Sequence, residues 1–128
     1  MATLQEYVDK DLVGTNNVRR AAIIRADDGG TLAESDGGLL RDGEGADIIA
    51  LFRDPSEVRA KGVVVGGEQF AGVKGDEKSI CATKGADGIA IARTDRSIII
   101  GFYQEGEAPC DALLTVGNVA DSLREDGY

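Results

Sequence analysis

The sequence predicts an α+β fold. A central antiparallel sheet carries the N- and C-terminal helices on one face and short helices on the other. Three observations lead there. Apolar residues recur at helical spacing at both ends of the chain. Between them, short apolar or alternating runs are separated by turn-forming pairs such as Gly29-Gly30 and Gly66-Gly67. Two brief helical stretches lie in the middle. The order is therefore helix, two strands, two short helices, five strands, helix, and stacking helices on both faces of one sheet covers every apolar stripe.

Thr3-Leu4-Gln5-Glu6 fits a capping box. Leu4, Tyr7, Val8 and Leu12 then share a stripe, and Gly14 suits the position after the last turn, so the first helix covers roughly residues 3–13. Residues 21–26 read as a strand, Asp27-Asp28-Gly29-Gly30 as a hairpin turn and residues 31–35 as the return strand. Glycines and acids make a loop up to Gly45. Residues 46–52 form a short helix with Ile48, Ile49 and Phe52 inward. Asp54-Pro55 starts another, with proline at the first turn, where its missing N–H costs nothing. After Gly62 the period becomes strand-like: 63–65, 68–73, 79–82, 88–93 and 97–103. Ile98-Ile99-Ile100 is apolar on both sides and calls for cover on both. Pro109 opens the last helix, whose stripe is Leu113, Val116, Ala120 and Leu123 with Val119 beside it. Gly117 inside that helix costs about 1 kcal/mol against alanine, which suggests close approach there.

At 128 residues the chain reads as a single domain, 1–128, large enough for a core without staples. Two cysteines, Cys81 and Cys110, are too few for a disulfide framework, and no signal peptide or spanning segment is visible, so the expected location is cytoplasmic. The net charge of −9 disfavours nucleic acid and anionic membrane as partners. Histidine is absent, which removes the commonest general base and metal ligand. The acids at Asp27, Asp28 and Asp36 lie beside turn glycines without the spacing of a calcium loop, and no phosphate-binding glycine motif occurs. No enzyme activity, cofactor or metal is expected.

Lys74, Lys78, Lys84 and Arg93 fall in one sheet-rich stretch. Read alone, they are either solubilising charges at strand ends or a cationic face.

The run from Lys84 to Thr94, the apolar strand Ser97–Tyr103 after it and the closing helix give the chain from Leu4 to Tyr128 an order that resembles the profilins, small actin-monomer-binding proteins. The resemblance implies a non-catalytic monomer, associated with the cytoskeleton, that binds monomeric actin at its barbed end and regulates polymerisation. It places actin contacts at Lys74, Lys78, Lys84 and Arg93, with Val63 and Thr94 nearby, gathered on one face of the sheet. Charges of this kind steer and orient an encounter more than they supply affinity. Profilins often carry a further basic residue early in the last helix. Here that region reads Leu113-Leu114-Thr115, then Gly117-Asn118, so a charged anchor is missing or replaced by apolar contact.

The resemblance also implies a site for proline-rich ligands between the terminal helices, built from stacked aromatics. The usual N-terminal motif Trp-x-x-Tyr-Val-Asp is Leu4-Gln5-Glu6-Tyr7-Val8-Asp9 here, the second Trp is Leu32, and an aromatic or His of the last helix is Ser122. Tyr7 and Tyr128 remain. A Trp anchor often carries about 2 kcal/mol, so proline-rich partners are expected to bind weakly, with Leu4, Tyr7 and Leu32 serving helix packing instead. Phosphoinositide binding is not expected of so acidic a chain. Two other readings stand beside the first: an interaction module on the same sandwich that has drifted from actin, and a small-ligand sensor domain.

Overall fold

The computed structural model describes residues 4–12, 18–27, 29–34, 43–54, 56–75, 78–85, 87–94, 96–103 and 109–125, with backbone alone at Leu4, Asp11, Lys74 and 109–113. The elements follow the expected order. Helix α1 opens as a single α-turn at Leu4–Glu6 and continues, more widely wound, over Tyr7–Leu12. Then come β1 (Arg20–Arg25), β2 (Thr31–Glu34), α2 (Glu44–Arg53), α3 (Glu57–Lys61), β3 (Val63–Val65), β4 (Glu68–Gly75), β5 (Ser79–Lys84), β6 (Asp87–Arg93), β7 (Ser97–Tyr103) and α4 (Pro109–Glu125). The expected caps at Thr3, Gly14 and Pro55 lie outside the described residues. Asp54, expected to start the second short helix, links the two: its N–H donates to the Ala50 carbonyl at 3.2 Å and closes α2, and its carbonyl accepts from the Glu57 N–H at 3.1 Å, while Ser56 holds the position before α3.

Among the described residues the strands form one antiparallel sheet in the order β2-β1-β7-β6-β5-β4-β3. Side chains alternate between its faces, and each face has its own core. On one side Ile24, Ile80, Ala82, Ile89, Ile91, Ile98 and Ile100 pack against Ile48, Ile49, Phe52 and Val58 of α2 and α3. On the other, Ala21, Ile23, Ala90, Ala92, Ile99 and Tyr103 pack against Tyr7, Val8 and Leu12 of α1 and Val116, Val119, Ala120 and Leu123 of α4. Every residue of β7 is buried, as a strand apolar on both sides requires.

Cover is unequal. The α2–α3 layer extends over β3, β4 and β5, burying Val63, Val65, Phe70, Ile80 and Ala82. Among the described residues no such layer lies on the other side of those three strands. Val64, Gln69 and Ala71 are exposed there, and Cys81 and Thr83 are half-buried.

Two contacts fix the α2–α3 layer. Glu44, in the first turn of α2 and only 5% exposed, accepts hydrogen bonds from the backbone N–H groups of Gly66 (2.6 Å) and Gly67 (2.7 Å). Those two glycines turn β3 into β4 with φ of 64° and 79°, a conformation side chains resist. Gly72 lies under α3, and a Cβ there would run into the Val58 carbonyl. A backbone carbonyl cannot swing aside as a side chain does.

Gly72→Ala is expected to lose about 3 kcal/mol of stability, the upper range for overpacking, read as a fall in the urea midpoint at unchanged slope. Glu44→Ala leaves two turn N–H groups without their acceptor and is expected to cost about 2 kcal/mol in the same measurement.

Candidate functional site

The uncovered side of β3, β4 and β5 is bordered by α4, which packs on β6 and β7. The core stripe of α4 is Val116, Val119, Ala120 and Leu123. A second stripe, Leu114, Gly117, Asp121 and Arg124 at steps of three and four residues, runs beside it. Between this stripe and the sheet lies an open groove of about 480 Å³, its sheet wall formed by Lys78, Ser79 and Ala92.

Arg124 fixes the groove's geometry. Its Nη1 donates to Asp121 Oδ1 at 2.9 Å and its Nη2 to the Arg93 carbonyl at 2.6 Å, tying the last turns of α4 to the end of β6. The Arg93 N–H donates in turn to the Lys78 carbonyl at 2.9 Å, joining the start of β5 to the same point.

The large exposed apolar side chains among the described residues lie on these strands and on the helix that borders them. They are Val64 (38% exposed), Val73 (49%) at the bulge of β4, and Leu114 (64%) on α4. The water-facing side of an ordinary sheet is polar, so exposed valines on this side make it a candidate contact surface. No helix of the described residues is long and apolar enough to cross a membrane.

The cations do not gather as expected. Lys78 lines the groove, and Lys74 stands opposite Cys81 in register. Arg93 shares its parity with Ile89 and Ile91, so its guanidinium turns to the α2–α3 side and sits 5.8 Å from the centre of the Phe52 ring. Lys84 has the parity of Ile80 and Ala82, and its Nζ lies 3.4 Å from Glu68 Oε1. It is also five residues from Ser79 along β5, about 17 Å away. Strand alternation thus turns Arg93 and Lys84 to the α2–α3 side at opposite ends of β5 and β6, away from the groove that Lys78 lines.

Val63 and Thr94 also differ from expectation as contact residues. Val63 is 1% exposed in the α2–α3 core, and the outward residue is its neighbour Val64. Thr94 is 2% exposed and holds the β6–β7 turn, its Oγ1 accepting from the N–H groups of Ser97 (2.9 Å) and Arg96 (3.2 Å). Sequence reading named Leu114 only as apolar contact in place of a charged anchor, and it missed Asp121 and Arg124. The signal for them was present: they fall on α4 positions outside the core stripe and in line with Gly117.

Of the residues considered for proline-rich ligands, Tyr7 is 6% exposed in the core between α1, α4 and the sheet. Leu32 is half-buried against the same cluster, and Ser122 is half-buried on α4. The Leu4 side chain and Tyr128 lie outside the described residues. Gln5 fastens α1 to β2, its Nε2 donating to the Glu34 carbonyl at 2.9 Å.

Arg124→Ala removes the tie between α4 and the Arg93 carbonyl, a charge-assisted bond at an exposed position. It is expected to lower stability by about 1 kcal/mol and to speed amide exchange in residues 118–125 more than in β7.

Comparison with known proteins gives concordant matches. A family model described as Profilin matches residues 2–128. Profilin-1 of Dictyostelium discoideum is 44% identical over 124 residues, covering 97% of this chain and 98% of that protein. Profilin-P of Physarum polycephalum is likewise 44% identical, with the same coverage. The crystal structure of Acanthamoeba castellanii profilin II superposes with a TM-score of 0.93 at 35% identity, over 98% of this chain and all of that one.

Proposed function

The chain belongs to the profilin family, and from that premise we propose that it binds monomeric actin at its barbed end and thereby regulates polymerisation, without catalysis. The docking surface is the uncovered side of β3, β4 and β5 together with the outer stripe of α4. The observation that carries this choice is the exposure of Val64, Val73 and Leu114 on a half-sheet that no described helix covers and on the helix bordering it.

Association through such a face draws on apolar burial at its centre and on charge at its rim. Lys78, at the edge of the groove, has the sign to steer toward an acidic neighbour, and Lys74 lies in the same half-sheet by register. The remainder of this acidic chain, at −9 overall, disfavours approach by other surfaces. Lys84 and Arg93 are given no contact role, because their ammonium and guanidinium groups belong to the opposite face. No reaction is assigned: binding needs only a complementary surface.

Ala71 tests the location. It is exposed in the middle of the face, opposite Thr83 in register. Ala71→Glu places an unpaired carboxylate at the centre of the contact and is expected to weaken binding to fluorescently labelled monomeric actin at least thirtyfold, about 2 kcal/mol, with an unchanged circular dichroism spectrum. Lys84→Glu is expected to stay within threefold of the unaltered chain. Equal affinity for Ala71→Glu would move the contact elsewhere. Absence of binding by the unaltered chain would instead favour an interaction module that has left actin.

A further inference from the structure

The sheet has a hairpin at each edge, β1–β2 and β3–β4, with β7, β6 and β5 between them. Their turns lie at opposite ends of the strands. Arg25, at the first turn, stands beside Ser97, and Arg93 beside Ile98. The second turn leads into Glu68, at the end where Lys84 stands beside Asp87 and its Nζ meets Glu68. The two turns therefore mark diagonally opposite corners, and four strand spacings, roughly 19 Å, separate β1 from β4.

Both corners nevertheless meet one helical turn. Glu44 accepts from the Gly66 and Gly67 N–H groups of the β3–β4 turn. The next residue, Gly45, lies backbone to backbone on Gly29 of the β1–β2 turn. A Cβ at Gly45 would strike the Gly29 carbonyl oxygen, and one at Gly29 would stand 2.8 Å from the Ala46 nitrogen. Sheet twist accounts for the meeting: rotation accumulated over the strands bends one diagonal pair of corners toward the same face, and α2 lies on that face. The first turn of α2 depends on these contacts. Gly43 before it has a φ of 86° and makes no side-chain cap. Gly45 has no side chain, and Ala46 and Asp47 are exposed. The Glu44 carboxylate is thus the side chain that docks this turn, in a stretch whose glycines weaken the helix on their own account.

We propose that the first turn of α2 is a clasp through which the two corner hairpins open and close as one unit. Release of the Glu44 carboxylate frees the turn, and with it the Gly29 backbone that rests on Gly45. The clasp joins β2, tied to α1 through Gln5 and the Glu34 carbonyl, to β3, which carries the outward Val64. A change at one edge of the sheet reaches the other through one helical turn, and not through the three strands between. The coupling belongs to the fold and holds whichever partner the chain binds.

Native-state amide exchange of the full chain, in rising urea below the unfolding transition, tests this. The reporting amides are Gly66 and Gly67, which donate to Glu44, and Gly29 and Arg25, which donate to the Arg25 and Gly30 carbonyls at 3.1 and 2.8 Å. They are expected to share one opening free energy and one urea slope, both smaller than those of Ile99 in the buried β7. Glu44→Gln keeps the side chain's size and offers one acceptor to two donors. It is expected to speed all four amides by the same factor, about tenfold. Gly45→Ala presses on Gly29 and is expected to speed Gly66 and Gly67 as well. Faster exchange at Gly66 and Gly67 in Glu44→Gln, with Gly29 and Arg25 unchanged, would show two independent corners and overturn the clasp. Different urea slopes for the two pairs in the unaltered chain would do the same, with no variant needed. Coincidence of all four with Ile99 would leave no unit smaller than the whole fold and would also overturn it.

Discussion

A sheet has two faces to bury, and among the described residues the helices cover one face fully and the other in part. Strands β1, β6 and β7 are buried on both sides, between α2 and α3 below and α1 and α4 above. Strands β3, β4 and β5 are buried only below. The uncovered half-sheet follows from this shortage. It is rigid because its underside is a packed core, and it is apolar enough to favour a partner. Rigid elements that present an exposed surface give a contact low ordering cost.

The α2–α3 layer is what permits the exposure. Without firm cover beneath, a half-sheet of short strands would be marginal. The buried Glu44 carboxylate anchors the β3–β4 turn to the start of α2, and Gly72 lets α3 lie on β4 at backbone contact. Both are structural devices located on the face away from the uncovered side of β3, β4 and β5. On the opposite side, Arg124 positions the outer stripe of α4 against the end of β6, and Gly117 keeps a gap in that stripe. The two glycines differ in their surroundings: a Cβ at Gly72 would strike the Val58 carbonyl, whereas one at Gly117 would meet no described atom within 4 Å.

Much of this was legible in the residues. The strands and helices could be placed from periodicity and turn chemistry, and the two burial patterns, full burial in β7 and alternation in β5, are written directly in Ile98-Ile99-Ile100 and Ser79-Ile80-Cys81-Ala82. Gly117 stood out as an anomaly before any geometry was known. The cationic face did not survive, for a reason that alternation itself supplies: Arg93 shares parity with Ile91, and Lys84 with Ala82, so both turn to the α2–α3 side. Whether Val63 or Val64 faces outward depends on one step of register, and the sequence of three valines offers nothing to choose between them. The start of α2 at Glu44 was hidden because its stabilising partners, Gly66 and Gly67, are more than twenty residues away.

The central claim is that the half-sheet without helical cover is where the partner sits. Amide hydrogen exchange of the full chain, with and without saturating monomeric actin, tests it over the whole surface at once. The account predicts added protection in β4 and β5 and along α4 from Leu114 to Asp121, with α2 and α3 unchanged. Added protection confined to residues 44–61, with β4, β5 and α4 unaltered, would contradict it.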